Sequence, residues 1–269
     1  MSADALAGHC ERLERENARL WAALFQMVFA DDSAAEEGSA DPPADGLPVP
    51  PPALRFLVAG TDDLEWFLAS GRLAARTVTD CLARQGLALG RRRRVLDWGC
   101  GCGRVIRHLR GVSGPEFHGS DRNARAVAWC RQNLGFARFA TNSLRPPLPY
   151  PDRHFDLVYA FSVFTHLTEP EQQRWMDEMK RVLVSGGHLL FSTHGDKAAE
   201  GLAPAELAEF QKGNGVVRGH HVLGTNFCAA YHPEGYVRRV LARGLEVIDF
   251  TPEGAKGNPP QDLYLVRAP

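Results

Sequence analysis

The apolar residues of this chain change rhythm near residue 94, and the change divides it. Beyond that point short apolar runs alternate with amphipathic stretches, the pattern of strands and helices following one another. Strands are predicted at 94–98, 117–120, 136–140, 155–160 and 188–192, with helices at 103–110, 123–133 and 170–183. The run Phe155-Asp156-Leu157-Val158-Tyr159 is nearly continuous, as in a parallel strand covered on both faces. Before residue 94 the spacing is helical. Leu57, Leu64, Trp66, Phe67, Leu68, Leu73, Val78, Cys81 and Leu82 form stripes over 54–89, and Gly71 is expected to split them into two helices. Residues 195–232 fit neither rhythm. The segment is too long for an ordinary connection, holds Gly213, Gly215 and Gly219, and reads as a lid or binding insertion.

Two N-terminal segments stand apart. Over residues 3–29, Leu6, Cys10, Leu13, Asn17, Leu20, Leu24 and Met27 alternate by fours and threes, with Asn17 at an a position. That resembles a short parallel coiled coil and makes a homodimer through this helix one expectation. Packing of the same stripe on its own domain is the other, because Trp21, Phe25, Val28 and Phe29 broaden the apolar face. Residues 31–53 carry Asp31, Asp32, Glu36, Glu37, Asp41 and Asp45 among Ala, Gly, Ser and Pro, and read as a Pro-rich acidic linker. The expected division is therefore 1–30, 31–53 and 54–269, with 54–89 as cap helices on the last.

Composition narrows the partners. Across 269 residues the formal net charge is −1, so no global basic field favours nucleic acid or an anionic membrane. The exception, Arg91-Arg92-Arg93-Arg94, is read as a solvated turn before the first strand. The cysteines lack metal-like pairing apart from Cys100-Gly101-Cys102, which suits reduced thiols in a cytoplasm. No apolar run approaches a membrane span, and the N-terminus lacks a signal-peptide pattern, so a cytoplasmic location is expected.

The densest chemical signal is Val95-Leu96-Asp97-Trp98-Gly99-Cys100-Gly101-Cys102-Gly103-Arg104. An apolar strand ends in an acid, and three glycines precede a helical pattern. Glycines there let the backbone turn tightly and approach a ligand closely. Further on, Asp121 closes the second strand, where a carboxylate can accept both hydroxyls of a ribose. In a dinucleotide-binding domain the third glycine follows the second by three residues. Here Gly99, Gly101 and Gly103 are evenly spaced.

Together with the run 155–159 and Val182-Leu183-Val184-Ser185-Gly186-Gly187, these motifs resemble the ordered motifs of class I S-adenosylmethionine-dependent methyltransferases, over roughly residues 55–267. The resemblance implies a Rossmann-like, seven-stranded, mainly parallel sheet, completed by a helix at 233–243, a strand at 245–250 and a closing antiparallel strand at 262–267. It implies S-adenosylmethionine as cofactor. Gly99, Cys100, Gly101 and Gly103 would lie beside its methionine part, Asp97 would bind the amino group, Asp121 the ribose and Arg122 the adenine side. Where the family often has an acid for the adenine amine, this chain has Asn142 and Ser143, whose oxygens can still accept. Phe161 and Ser162 would border the sulfonium. Residues 67–72 would roof the cofactor, with Ser70, Gly71 and Arg72 at the corner.

Methyl transfer needs orientation and water exclusion first, and a base only if the nucleophile arrives protonated. His166, His194 and His232 follow predicted strands or the insertion and are the candidates for that base; each also reads as a packed or capping histidine. His220, His221 and Tyr231 are candidates to line a substrate pocket. His194, Asp196, His220, His221 and His232 lack a recognised metal-ligand spacing, so no metal is expected. Cys228 has no identifiable activator. Methyltransferases acting on exocyclic base amines carry an Asn/Asp-Pro-Pro-aromatic turn after strand four; this chain has Ala160-Phe161-Ser162-Val163 there, which argues against nucleic acid as substrate. The sequence thus points to a small-molecule acceptor, a specialised metabolite or sugar, methylated on oxygen. A peptide or protein acceptor and a non-catalytic cofactor-binding scaffold are the alternatives.

Overall fold

The structure, a computed structural model, describes residue 43 and residues 45–220 and 228–269. The predicted N-terminal coil at 3–29 and His221 lie outside the described residues. From Asp45 onward the acidic stretch is tied to the domain. The Asp45 carboxylate receives Arg107 Nε at 2.6 Å and Nη2 at 3.0 Å, and the Arg107 side chain is fully buried.

Helix α1 (Pro52–Ala59) stops at Gly60, which takes φ 71° as a left-handed cap. Helix α2 (Leu64–Arg84) begins at Asp63, whose side chain accepts from Trp66 N at 3.1 Å. The helix runs without a break through Gly71, so the expected division falls at Gly60 instead. Gly71 serves a different purpose. A Cβ there would lie 2.1 Å from the Arg104 carbonyl oxygen, so glycine permits a close crossing rather than a break.

Seven strands, β1 (Arg94–Trp98), β2 (Glu116–Asp121), β3 (Ala137–Thr141), β4 (Phe155–Ala160), β5 (Leu183–Thr193), β8 (Glu246–Thr251) and β9 (Asp262–Arg267), form one sheet. Their order is β3-β2-β1-β4-β5-β9-β8. β9 pairs antiparallel with both β5 and β8, and the other pairings are parallel. Helix α3 (Ala124–Asn133) starts at Asn123, which caps Arg125 N and Ala126 N, and α4 (Glu169–Val182) precedes β5.

Period-two alternation feeds two cores. Val95, Leu157 and Tyr159 join α2 and α3 residues on one face, whereas Leu96, Val158 and Ala160 join Trp175, Met176 and Met179 of α4 on the other. That explains the unbroken apolar run of β4.

Three boundaries differ from expectation. The helix placed at 103–110 is a 3-10 turn over Ile106–Leu109, because Gly101 and Gly103 stay left-handed and delay the start. β5 begins at Leu183, directly after α4, with a register shift against β4 between Phe155 and Leu157. The helix placed at 233–243 is α7 (Glu234–Tyr236), continued as a π-helical turn over Val237–Leu241. The insertion contains α5 (Asp196–Ala199), α6 (Pro204–Gln211) and a hairpin of β6 (Val216–Arg218) and β7 (Ala229–Tyr231). Among the described residues no helix is long and apolar enough to cross a membrane.

Candidate active site

The glycine loop leaves β1 where the strand order reverses direction between β1 and β4, the usual ligand position in an open parallel sheet. Gly99, Gly101 and Gly103 take φ of 82°, 52° and 82°. Gly99 N and Cys100 N both donate to the Ser120 carbonyl, at 2.8 and 3.1 Å, which pins the loop to β2. A Cβ on Gly99 would lie 2.4 Å from Val163 Cγ2, and one on Gly101 would lie 2.5 Å from Val58 Cγ2. The loop therefore runs between α1 and the turn after β4. Phe67 packs with Leu54, Cys102 and Ala126 over this loop, so α1 shares the roofing expected of 67–72. At the corner, Ser70 Oγ accepts from Arg104 Nη1 at 3.2 Å.

Asp97 is 3% exposed, and its Oδ2 has no hydrogen-bond partner among the described residues. Burial pushes its carboxyl up to about 7, with the neighbouring Tyr159 hydroxyl and Arg104 guanidinium pulling it back. A buried carboxylate oxygen without a donor is costly and fits a ligand that brings one, such as the ammonium of S-adenosylmethionine. Asp121 is already at work within the chain. Its Oδ2 accepts from Gly101 N at 2.8 Å and its Oδ1 from Asn123 N at 2.7 Å. Burial raises its carboxyl, and these two N–H groups oppose the rise. A carboxylate has roughly four lone-pair sites, so it can hold the loop and still accept a diol.

Arg122 is exposed directly after Asp121. Asn142 is less free than its sequence position suggests. Its Oδ1 accepts from Ser120 Oγ at 2.6 Å and its Nδ2 donates to the Ser143 carbonyl at 2.7 Å. Ser143 itself is exposed. Phe161 is buried in the core beside β4, and Ser162 turns the chain with a left-handed φ of 58°.

Three candidate histidines converge beyond the carboxyl ends of β4 and β5. His166 ends the 3-10 turn Phe164–His166, and its Nδ1 lies 2.7 Å from the Cys228 carbonyl oxygen. His194 follows β5, bridges to Tyr231 of β7, and its ring centroid is 5.3 Å from the Tyr231 ring. His232 N donates to the His194 carbonyl at 2.8 Å, and both its buried ring nitrogens lack partners among the described residues. Burial lowers all three basicities. The Cys228 carbonyl partly opposes that for His166; repulsion from His166 helps carry His194 down to about 4, and repulsion from His194 helps carry His232 to about 3. Tyr231 packs beside Ala199, Leu202, Phe210 and Val216 of the insertion, with the Arg218 guanidinium 6.0 Å over its ring. His220 is exposed, at the end of the first described part of the insertion.

Gln261 and Ser192 were not identified from the sequence. Both are buried, and they bond one another and Ser162. Ser192 reads as an ordinary strand residue, and Gln261 as the end of a Gly-Asn-Pro-Pro turn. Only the antiparallel pairing of β9 with β5 brings them together.

A doubly wound sheet of this strand order, with a glycine loop between the buried Asp97 and the half-buried Asp121, defines the class I methyltransferase fold. Residues 95–187 match the family model described as a methyltransferase domain. A protein of Encephalitozoon cuniculi that carries a methyltransferase designation is 30% identical over 169 residues, covering 59% of this chain and 73% of its own. The methyltransferase GfsG of Streptomyces halstedii is 30% identical over 163 residues; the match covers 59% of this chain and about half of GfsG, 54%. Among solved structures, an S-adenosylmethionine-dependent methyltransferase from Mesorhizobium loti has the same fold, with a TM-score of 0.54 at 21% identity, over 70% of this chain and 96% of that one. The chain belongs to the class I S-adenosylmethionine-dependent methyltransferases.

Proposed function

We propose that the chain methylates an oxygen of a small-molecule acceptor, a specialised metabolite or a sugar, with His166 as the general base. The observation that carries this reading is the contact between His166 Nδ1 and the Cys228 carbonyl at 2.7 Å. A carbonyl oxygen only accepts, so the proton resides on Nδ1 and the lone pair on Nε2. That is the tautomer a base requires. Burial keeps the ring neutral at physiological pH. His194 and His232, carried down to about 4 and about 3, are weaker bases and act as its neutral surroundings.

S-Adenosylmethionine supplies a methyl group on a positively charged sulfur. The chain then has to hold the cofactor, exclude water and take up the acceptor's proton. On this reading Asp97 Oδ2 accepts from the amino group, and Asp121 accepts from the ribose hydroxyls while fixing Gly101. Arg122, Asn142 and Ser143 lie on the adenine side, and Phe161 and Ser162 border the sulfonium. Tyr231, His220 and His221, all from the 195–232 stretch of the sequence, are proposed to line the acceptor pocket. The net charge of −1 suits an uncharged small acceptor better than a polyanion. The heptad seam at 3–29 is proposed to pair two copies.

The test is calorimetric titration with S-adenosylmethionine and S-adenosylhomocysteine, with NAD as control, followed by labelled-methyl transfer to hydroxylated small molecules and to peptides. Binding of both sulfur compounds, silence from NAD and label on a hydroxyl are the expected results. Label on peptides alone overturns the small-molecule assignment.

A further inference from the structure

We propose that Gln261 is a positioning residue, which locks His194 at the root of the lid to the Ser162 turn through a closed ring of hydrogen bonds. Ser162 N donates to Ser192 Oγ at 2.9 Å, and Ser192 Oγ donates to Gln261 Oε1 at 2.6 Å. Gln261 Nε2 donates back to Ser162 Oγ and faces His194 Nε2 at 3.4 Å. Gln261 is 2% exposed and Ser192 fully buried, so water does not compete for these bonds.

Donor and acceptor counting together with burial fixes the arrangement. Ser192 Oγ already accepts the Ser162 N–H, so its own proton goes to the Gln261 oxygen. Reversing the amide would leave the hydroxyl proton of the fully buried Ser192 without an acceptor in the ring, whereas the assigned orientation leaves only that of the half-buried Ser162. With the orientation fixed, the amide directs one N–H at Ser162 Oγ and the other at His194 Nε2. His194 therefore carries its proton on Nδ1 and uses Nε2 as an acceptor.

Two consequences follow from this ring. Ser162 holds a left-handed backbone that a residue with a Cβ rarely adopts, and the ring clamps both its N–H and its hydroxyl. His194 is joined to the lid through its bridge to Tyr231 and through the His232 N–H on its carbonyl. Gln261 thus connects the lid root to the turn that borders the reacting centre. That placement of Ser162 rests on the methyl-transfer reading above.

Nitrogen–proton correlation spectra of the full chain labelled at histidine test the proposal, with His194 assigned by its loss in His194→Asn. The wild-type ring is expected as the Nδ1-protonated tautomer at neutral pH. Gln261→Leu should give a tautomer mixture and speed proteolytic cleavage of the lid about tenfold. Gln261→Glu, which is isosteric, should draw a proton onto His194 Nε2 and move its signals to the imidazolium position. A wild-type ring protonated on Nε2, or an unchanged His194 in both variants, overturns the proposal. Failure of the wild-type chain to bind S-adenosylhomocysteine would instead remove the cofactor reading and leave the hydrogen-bond ring standing.

Discussion

The Nδ1 nitrogen of His166, in the turn after β4, lies 2.7 Å from the carbonyl oxygen of Cys228, which immediately precedes β7 in the insertion. A backbone group of the lid thereby sets the tautomer of a side chain on the sheet rim. Any displacement of β7 would free the ring to rotate.

If His166 is the base, His166→Gln should reduce kcat by about 10²–10⁴ while leaving S-adenosylhomocysteine affinity within about twofold. Labelled-methyl transfer to an acceptor found by screening, with calorimetry alongside, checks this. An equal loss of cofactor affinity would show the residue to be structural.

Asp121→Ala should weaken cofactor binding by about 1–3 kcal/mol, the scale of losing hydrogen bonds to a charged group. Because the same carboxylate holds Gly101 N and Asn123 N, the melting temperature should fall as well. Unchanged affinity for S-adenosylmethionine would sink the assignment of this acid to the ribose.

Gly71→Ala gives a prediction whose sign runs against helix propensity. In an exposed helix interior alanine is favoured over glycine by about 1 kcal/mol. Here the new methyl would meet the Arg104 carbonyl at 2.1 Å, and the atom it meets is backbone. Denaturant titration should show a loss of about 1–3 kcal/mol from overpacking. A stabilised variant would mean that the crossing of α2 over the loop is looser than described.

Acid should destabilise the fold. The histidines His108, His118, His188 and His194 are held down to about 4, and His232 to about 3, against an ordinary value of 6.5. Between those values the unfolded chain binds protons that the folded chain refuses, so stability falls as pH drops from 6.5 toward 4. Asp97 acts in the other direction. Its carboxyl, raised to about 7 from 3.8, favours the folded state as pH falls through that window. Burial raises the Asp121 and Asp262 carboxyls in the same sense, and the five histidines outweigh these three acids. Melting temperatures should therefore decline steadily below about pH 6.5, and a flat or rising profile would show that the histidines reach solvent.

The proposed pairing through residues 3–29 predicts that deleting residues 1–30 converts a dimer to a monomer in sedimentation, with cofactor affinity unchanged. A monomeric full-length chain would retire the coil.

The sequence alone determined the α/β alternation, the bounds of β1 and β4, and the glycine loop with Asp97 and Asp121. These features depend on local chemistry: period-two burial, left-handed glycines and an acid at a strand end. Gly71 is ambiguous in the sequence, which allows a glycine in a helical stretch two uses, and only the approach of Arg104 distinguishes them. The helical stretch after the loop is shorter than its sequence pattern because the left-handed Gly103 that delays it looks, in sequence, like the first residue of the helix. Convergence of His166, His194 and His232 is decided by the tertiary structure, because a lid returning from residue 228 supplies both the Cys228 carbonyl and the neighbour of His194. Gln261 was invisible for the same reason. Its partners, at 162, 192 and 194, belong to the ends of two other strands, and no local pattern encodes a hydrogen bond that spans nearly a hundred residues.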